Sequence, residues 1–199
     1  MSVLSSPSAN SDKPLKGENI AILVASGFNE SDMAESVRAL ADTGAKITLL
    51  SVDAGLVQGW TGTGWGHYHA VETPLSSALA ADFSMLLVPG GQRSLDKLKT
   101  SAHTTRFVKG FLTSGNPVAF FGDAVQLLAH VGMAEGRTVT GPESLHATLT
   151  GAGAIWSQDA FTVEGNILTG QTGADQIKDL VLATVAHFMN IPAELRMAA

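Results

Sequence analysis

The residues of this chain that could do chemistry are three carboxylates gathered around one glycine. The segment Pro117-Val-Ala-Phe-Phe-Gly-Asp-Ala-Val-Gln-Leu-Leu128 is an apolar run that stops at Gly122 and passes at once into helical spacing. That is the pattern of a strand-to-helix elbow, the turn on which α/β hydrolases mount a nucleophile. Glycine tolerates the strained angles of such a turn, so a positive φ is expected at Gly122 while the nucleophile itself is missing. The chain has no cysteine, which removes thiolate attack, disulfides and Cys-ligated metals from consideration. Carboxylates remain. Glu30 and Asp32 lie in Ser26-Gly-Phe-Asn-Glu-Ser-Asp32, and Asp123 directly follows the elbow glycine. If Asp123 faces Asp32, their crowded charge raises one pKa and sets an acid beside a base. A plainer reading stands next to this one. All three fall in first turns of helices, where a carboxylate complements the macrodipole by about 0.3–1 kcal/mol, and Asp123 also suits an N-terminal cap.

Other polar residues offer less. His67 and His69 are two apart, so on a strand they share a face as two metal ligands would, but no third ligand is near and a solvated face accounts for them. No metal and no cofactor is expected. Gly62-Thr-Gly-Trp-Gly66 lacks the lysine and the strand-before, helix-after setting of a phosphate loop. Ser26, Ser94 and Ser144 have neither a visible base nor a Gly-x-Ser-x-Gly frame, and His146 reads as a surface or capping residue. Gly90 and Gly91, after Pro89, form a tight turn whose backbone N–H groups face the site, the arrangement that holds an oxyanion in a hydrolase.

The elements that must position these residues alternate. Asn19 to Ala25 is a continuous apolar run, as in a parallel strand covered on both faces. A helix pattern runs from Asn29 through Met33, Val37 and Leu40, Thr43-Gly44 stops it, and Lys46 to Ser51 is the next strand. Val57 to Val71, broken by four glycines, reads as a hairpin excursion; Phe83 to Val88 returns to strand, followed by a helix over roughly Thr104 to Leu112. Beyond the elbow come a helix from Asp123 to about Val131, another over Glu143 to Thr150, and a strand pair Phe161 to Val163 and Asn166 to Thr169. A last helix, capped by Thr172-Gly-Ala-Asp175, carries Ile177, Leu180, Val181, Thr184 and Val185. This alternation predicts an α/β fold with a doubly wound, mainly parallel sheet of flavodoxin-like type, its site outside the carboxyl ends of the strands.

At 199 residues and 45% hydrophobic, the chain suits a single domain over residues 17–199, preceded by a polar tail of residues 1–16 read as flexible. A formal charge of −6 without basic runs argues against nucleic acid or an anionic membrane as partner. No stretch reaches the ~18 apolar residues of a membrane span, and Met1 to Lys16 lacks the apolar core of a signal peptide, so a cytoplasmic location is expected. Trp60, Trp65, Tyr68 and Trp156 stand in irregular segments, where large aromatics either cap the edges of the domain's own core or form an interface; the second predicts a homo-oligomer, most simply a two-fold dimer.

The blocks Ala21-Ile-Leu-Val-Ala-Ser-Gly-Phe, Ala81-Asp-Phe-Ser-Met-Leu-Leu-Val-Pro-Gly-Gly, the elbow with Gln126-Leu-Leu, Gly136-Arg-Thr-Val-Thr and Val163-Glu-Gly-Asn-Ile-Leu-Thr resemble, in order and spacing, the PfpI/ThiJ family of peptidase-like, glyoxalase-like and chaperone-like proteins. The resemblance spans roughly Gly17 to Phe188. Active members place Cys-His at the elbow, where this chain has Gly122-Asp123; the family's acidic partner of the Cys matches best to Asp32, with Glu30 close by. The Gly-Asp-Ala elbow is similar to that of the C-terminal domain of large-subunit catalases, which keeps the fold without the nucleophile. Two function classes follow: a non-hydrolytic binding, stress-related or assembly module with a small-molecule ligand at the degenerate site, or an enzyme in which Asp32, Asp123 and Glu30 do acid/base or hydration chemistry on a small carbonyl or amide compound.

Overall fold

The computed structural model describes residues 13–173 and 176–190. Its strands in chain order are β1 (Asn19–Val24), β2 (Phe28–Asn29), β3 (Lys46–Ser51), β4 (Leu56–Trp60), β5 (Trp65–Ala70), β6 (Thr73–Pro74), β7 (Met85–Val88), β8 (Val118–Phe121), β9 (Thr138–Val139), β10 (Ile155–Trp156), β11 (Phe161–Glu164) and β12 (Ile167–Gly170). The α-helices are α1 (Glu30–Asp42), α2 (Gln92–Lys99), α3 (Ala102–Ser114), α4 (Gln126–His130), α5 (His146–Gly151) and α6 (Ile177–Asn190).

Seven strands form one sheet in the order β11-β12-β8-β7-β1-β3-β6, parallel throughout except for β11, which runs antiparallel to β12. The apolar runs explain the centre. β7 and β8 are buried at every residue and β1 at all but its first, because helices cover both faces. One core layer takes Leu23, Leu86, Phe107, Phe111 and Phe120; the other takes Ile22, Leu40, Leu87, Phe121 and Phe188. β1 pairs with β3 on one side and with β7 on the other, so the winding reverses between β1 and β7. In a doubly wound sheet that reversal opens a crevice at the carboxyl ends. Here the loops after β1, β7 and β8 all end there.

The structure refines several expected elements. The excursion is a three-stranded sheet, with β4 and β5 antiparallel and β2 pairing with β4. The elbow leads into a 3-10 turn, Gly122–Val125, before α4, and Glu143–Leu145 is likewise 3-10 ahead of α5. α2 is an additional helix, overlooked because Gln92-Arg-Ser-Leu-Asp-Lys-Leu-Lys buries only Ser94, Leu95 and Leu98. Part of the expected tail is packed: Leu15 is fully buried and its N–H donates to the Thr43 carbonyl at 3.1 Å. Residues 1–12 of that tail, and Ala174 and Asp175 of the expected helix cap, lie outside the described residues. Among the described residues no helix is long and apolar enough to cross a membrane.

Candidate functional site

Gly122 directly follows β8 with φ +51, the positive value the elbow requires. A Cβ built on it would stand 2.6 Å from the Thr172 hydroxyl oxygen, far inside contact distance. The hydroxyl of the segment after β12 therefore occupies the space into which an elbow side chain would project. Sequence reasoning missed Thr172 because its place before the last helix already explained it as a cap. That its segment lies across the elbow follows only from the pairing of β12 with β8.

Asp32 stands in the first turn of α1, which Asn29 caps by accepting from the N–H groups of Ser31 and Asp32. The residue is 1% exposed. The Gly90 N–H donates to Asp32 Oδ2 at 3.2 Å, and the Thr172 hydroxyl is a further partner. Burial pushes the Asp32 pKa up from 3.8 to about 7; the charge of Asp123 adds to the rise, and the bonds from Gly90 and Thr172 oppose it. Asp123 is half-buried, its pKa raised by burial and held back by a hydrogen bond from the Gly91 N–H. The crevice therefore holds Asp32, Asp123, Thr172 and the Gly90-Gly91 turn, with one carboxyl carrying its proton up to about neutrality. The two amides expected to hold an oxyanion are already bound to the two carboxyls.

Glu30 does not take part in this group. Its carboxylate accepts from the His67 N–H at 3.0 Å and pairs with the His67 ring, and that pairing draws its pKa below the usual value. It ties α1 to the β4–β5 hairpin. His69 shares the His67 face of β5 but sets its ring edge-on to Phe28, with centroids 5.6 Å apart. Ser94 Oγ accepts from the Ala25 N–H at 2.8 Å and Ser26 Oγ from the Gln58 N–H at 3.3 Å, both binding loops together. Ser144 is exposed, and His146 lies on the surface between Glu143 and Trp156. Phe28 and Phe121 are core residues, fully buried.

A doubly wound, mainly parallel sheet with a glycine elbow after β8, one strand from its winding reversal, defines the class of flavodoxin-like proteins built on a strand-to-helix elbow. The chain belongs to the DJ-1/PfpI family, whose description matches residues 18–187. It is 28% identical over 161 residues to General stress protein 18 of Bacillus subtilis (strain 168), covering 80% of this chain and 91% of that protein. To Protein/nucleic acid deglycase 2 of Escherichia coli (strain K12) it is 25% identical over 160 residues, 79% of this chain and 91% of that one. The fold matches the crystal structure of the ThiJ/PfpI domain protein from Brachyspira murdochii with a TM-score of 0.78 at 24% identity, covering 89% of this chain and 99% of that one.

Proposed function

We propose that this chain is a non-hydrolytic member of its family, which binds a small polar ligand at the carboxyl edge of its sheet and serves as a binding or stress-related module, self-associating as a two-fold dimer. The observation that carries this reading is the Thr172 hydroxyl at 2.6 Å from the position of a Cβ on Gly122. A thiol mechanism needs a nucleophile at the elbow and free amides to receive charge. Gly122 supplies no side chain, and the Gly90 and Gly91 amides are engaged by Asp32 and Asp123. The stress-related aspect draws on General stress protein 18 among the relatives. Purified protein is expected to release nothing from fluorogenic peptides or small amides and to leave glycated peptides unchanged, while ligands from a panel of small amides and hydroxy compounds raise its melting temperature without being consumed.

A second reading is favoured by one specific observation, the buried Asp32 with its pKa near 7 beside Asp123. A carboxyl that keeps its proton to neutrality can deliver it to a carbonyl or amide oxygen, and a neighbouring carboxylate can receive one. Turnover of a small carbonyl or amide compound that is lost in both Asp32→Asn and Asp123→Asn would establish this acid/base enzyme and displace the binding module.

A further inference from the structure

Arg93 lies two residues beyond Gly91, in the first turn of α2, and its side chain crosses the turn after β1 to reach the tip of the β4–β5 hairpin. Only glycine allows that crossing: a Cβ on Gly27, which has φ +94, would stand 2.5 Å from the Arg93 Cβ. The guanidinium carbon then sits 4.4 Å from the Trp60 ring centroid and 5.9 Å from that of Trp65. The two indoles meet edge-to-face at 5.5 Å. Trp60 is half-buried, while Trp65 is 53% exposed and Arg93 is exposed as well.

Stacking of this kind uses the flat face of a guanidinium, which is weakly hydrated, and leaves its fork of N–H donors open at the edge. Among the described residues Arg93 forms no ion pair. Asp96, three residues on along α2, pairs with Lys99, and Glu30 and Asp53 pair with His67 and Lys97. A guanidinium that rests on two indole faces and has no carboxylate partner among the described residues presents its donor fork to a bidentate acceptor.

We infer that Arg93, Trp60 and Trp65 form a binding site for an oxyanion, the carboxylate or phosphate group of a small ligand, with the guanidinium edge gripping the anion and the open face of Trp65 covering the adjoining apolar part. The site uses neither residue of the carboxyl pair and does not rest on the non-hydrolytic reading. Two indoles in direct contact with the cation make it measurable by tryptophan fluorescence. The full chain carrying Trp156→Phe, which removes the remaining tryptophan, is titrated with inorganic phosphate and with benzoate at constant ionic strength. Saturable quenching by either probe is expected, and comparison of the two tells a phosphate from a carboxylate ligand. Arg93→Gln should weaken the affinity by about tenfold or more, and Arg93→Lys, which keeps charge but not the fork, should fall between. If Arg93→Gln fails to fold, the Lys variant alone decides. No saturable change with either probe, or affinity unaltered in the Arg93 variants, overturns the site and leaves the cluster as a clasp between helix and hairpin.

Discussion

Thr172 and Gly122 share one space: the threonine hydroxyl oxygen lies 2.6 Å from the point at which an elbow side chain would begin. The same hydroxyl bonds to the buried Asp32. The space above the elbow glycine is thus filled by Thr172 rather than empty. Gly122→Ala is expected to destabilise the fold by about 2–3 kcal/mol, one part from the positive φ and another from the clash. Thr172→Ala in the same chain should return the second part only. Equal costs for Gly122→Ala in the presence and absence of Thr172, measured by urea unfolding, would show that the two residues do not interact.

Asp32 gives stability a pH dependence of defined sign. Its folded-state pKa, about 7, stands above the 3.8 of a free carboxyl, so the folded chain binds the proton more tightly. That contribution is complete below the free-carboxyl value and is lost as the pH rises to about 7. Asp123 acts in the same direction. His187, whose pKa burial lowers, acts oppositely, its contribution being present above 6.5 and lost on acidification. The comparison is therefore between wild type and Asp32→Asn. Over this interval the difference in unfolding free energy should move in favour of the Asn variant by about 2–4 kcal/mol, and parallel pH profiles would contradict it.

Glu30 is a fastening residue rather than a member of the carboxyl group in the crevice. Glu30→Gln should leave ligand binding at Asp32 unaltered while loosening the hairpin, seen as faster hydrogen exchange at the His67 amide. Because its pKa lies below 4.5, the fastening persists down through that value and is lost only in stronger acid. Unchanged exchange at His67 would remove this role.

The proposed dimer is assigned to the exposed face of the β4–β5 hairpin. Of the four aromatics singled out in the sequence, Trp60 is half-buried beneath Arg93 and Trp156 is half-buried against His146. Trp65 is 53% exposed at the hairpin tip, and Tyr68 is 66% exposed, diagonally across the ladder from Leu56 at 58%, on the face of the hairpin opposite to Val57 and His69. Light scattering is expected to give the mass of a dimer for the wild type and of a monomer for Leu56→Ser combined with Tyr68→Ser. A monomeric wild type would refute the dimer.

Much of this was legible because it is local. The run Val118 to Phe121 stopping at Gly122 specified the strand, the elbow and its positive φ, and the block order pointed to the family. The carboxyl pair was legible as a condition: Asp32 and Asp123 had to meet across the winding reversal. What escaped depends on distant partners. Glu30 looked equivalent to Asp32 until His67, 37 residues further on, claimed it. The Gly90 amide seemed free for an oxyanion until Asp32, 58 residues away, accepted its bond. Leu15 sits among polar neighbours, and one buried leucine in a polar stretch carries no periodicity to betray it. Thr172 was explained by a helix start, and Arg93 stood in a helix that the sequence pattern did not disclose, which hid their longer reach.

The central claim, that the elbow is closed to nucleophilic chemistry and not merely short of a thiol, is tested most directly by Gly122→Cys assayed beside the wild type on fluorogenic peptide, amide and glycated substrates, with folding checked by circular dichroism. No turnover by either protein is expected, since Thr172 stands in the way, Asp123 replaces the histidine and the turn amides are engaged. Turnover gained by Gly122→Cys alone, or turnover by the wild type that Asp32→Asn abolishes, would contradict the account.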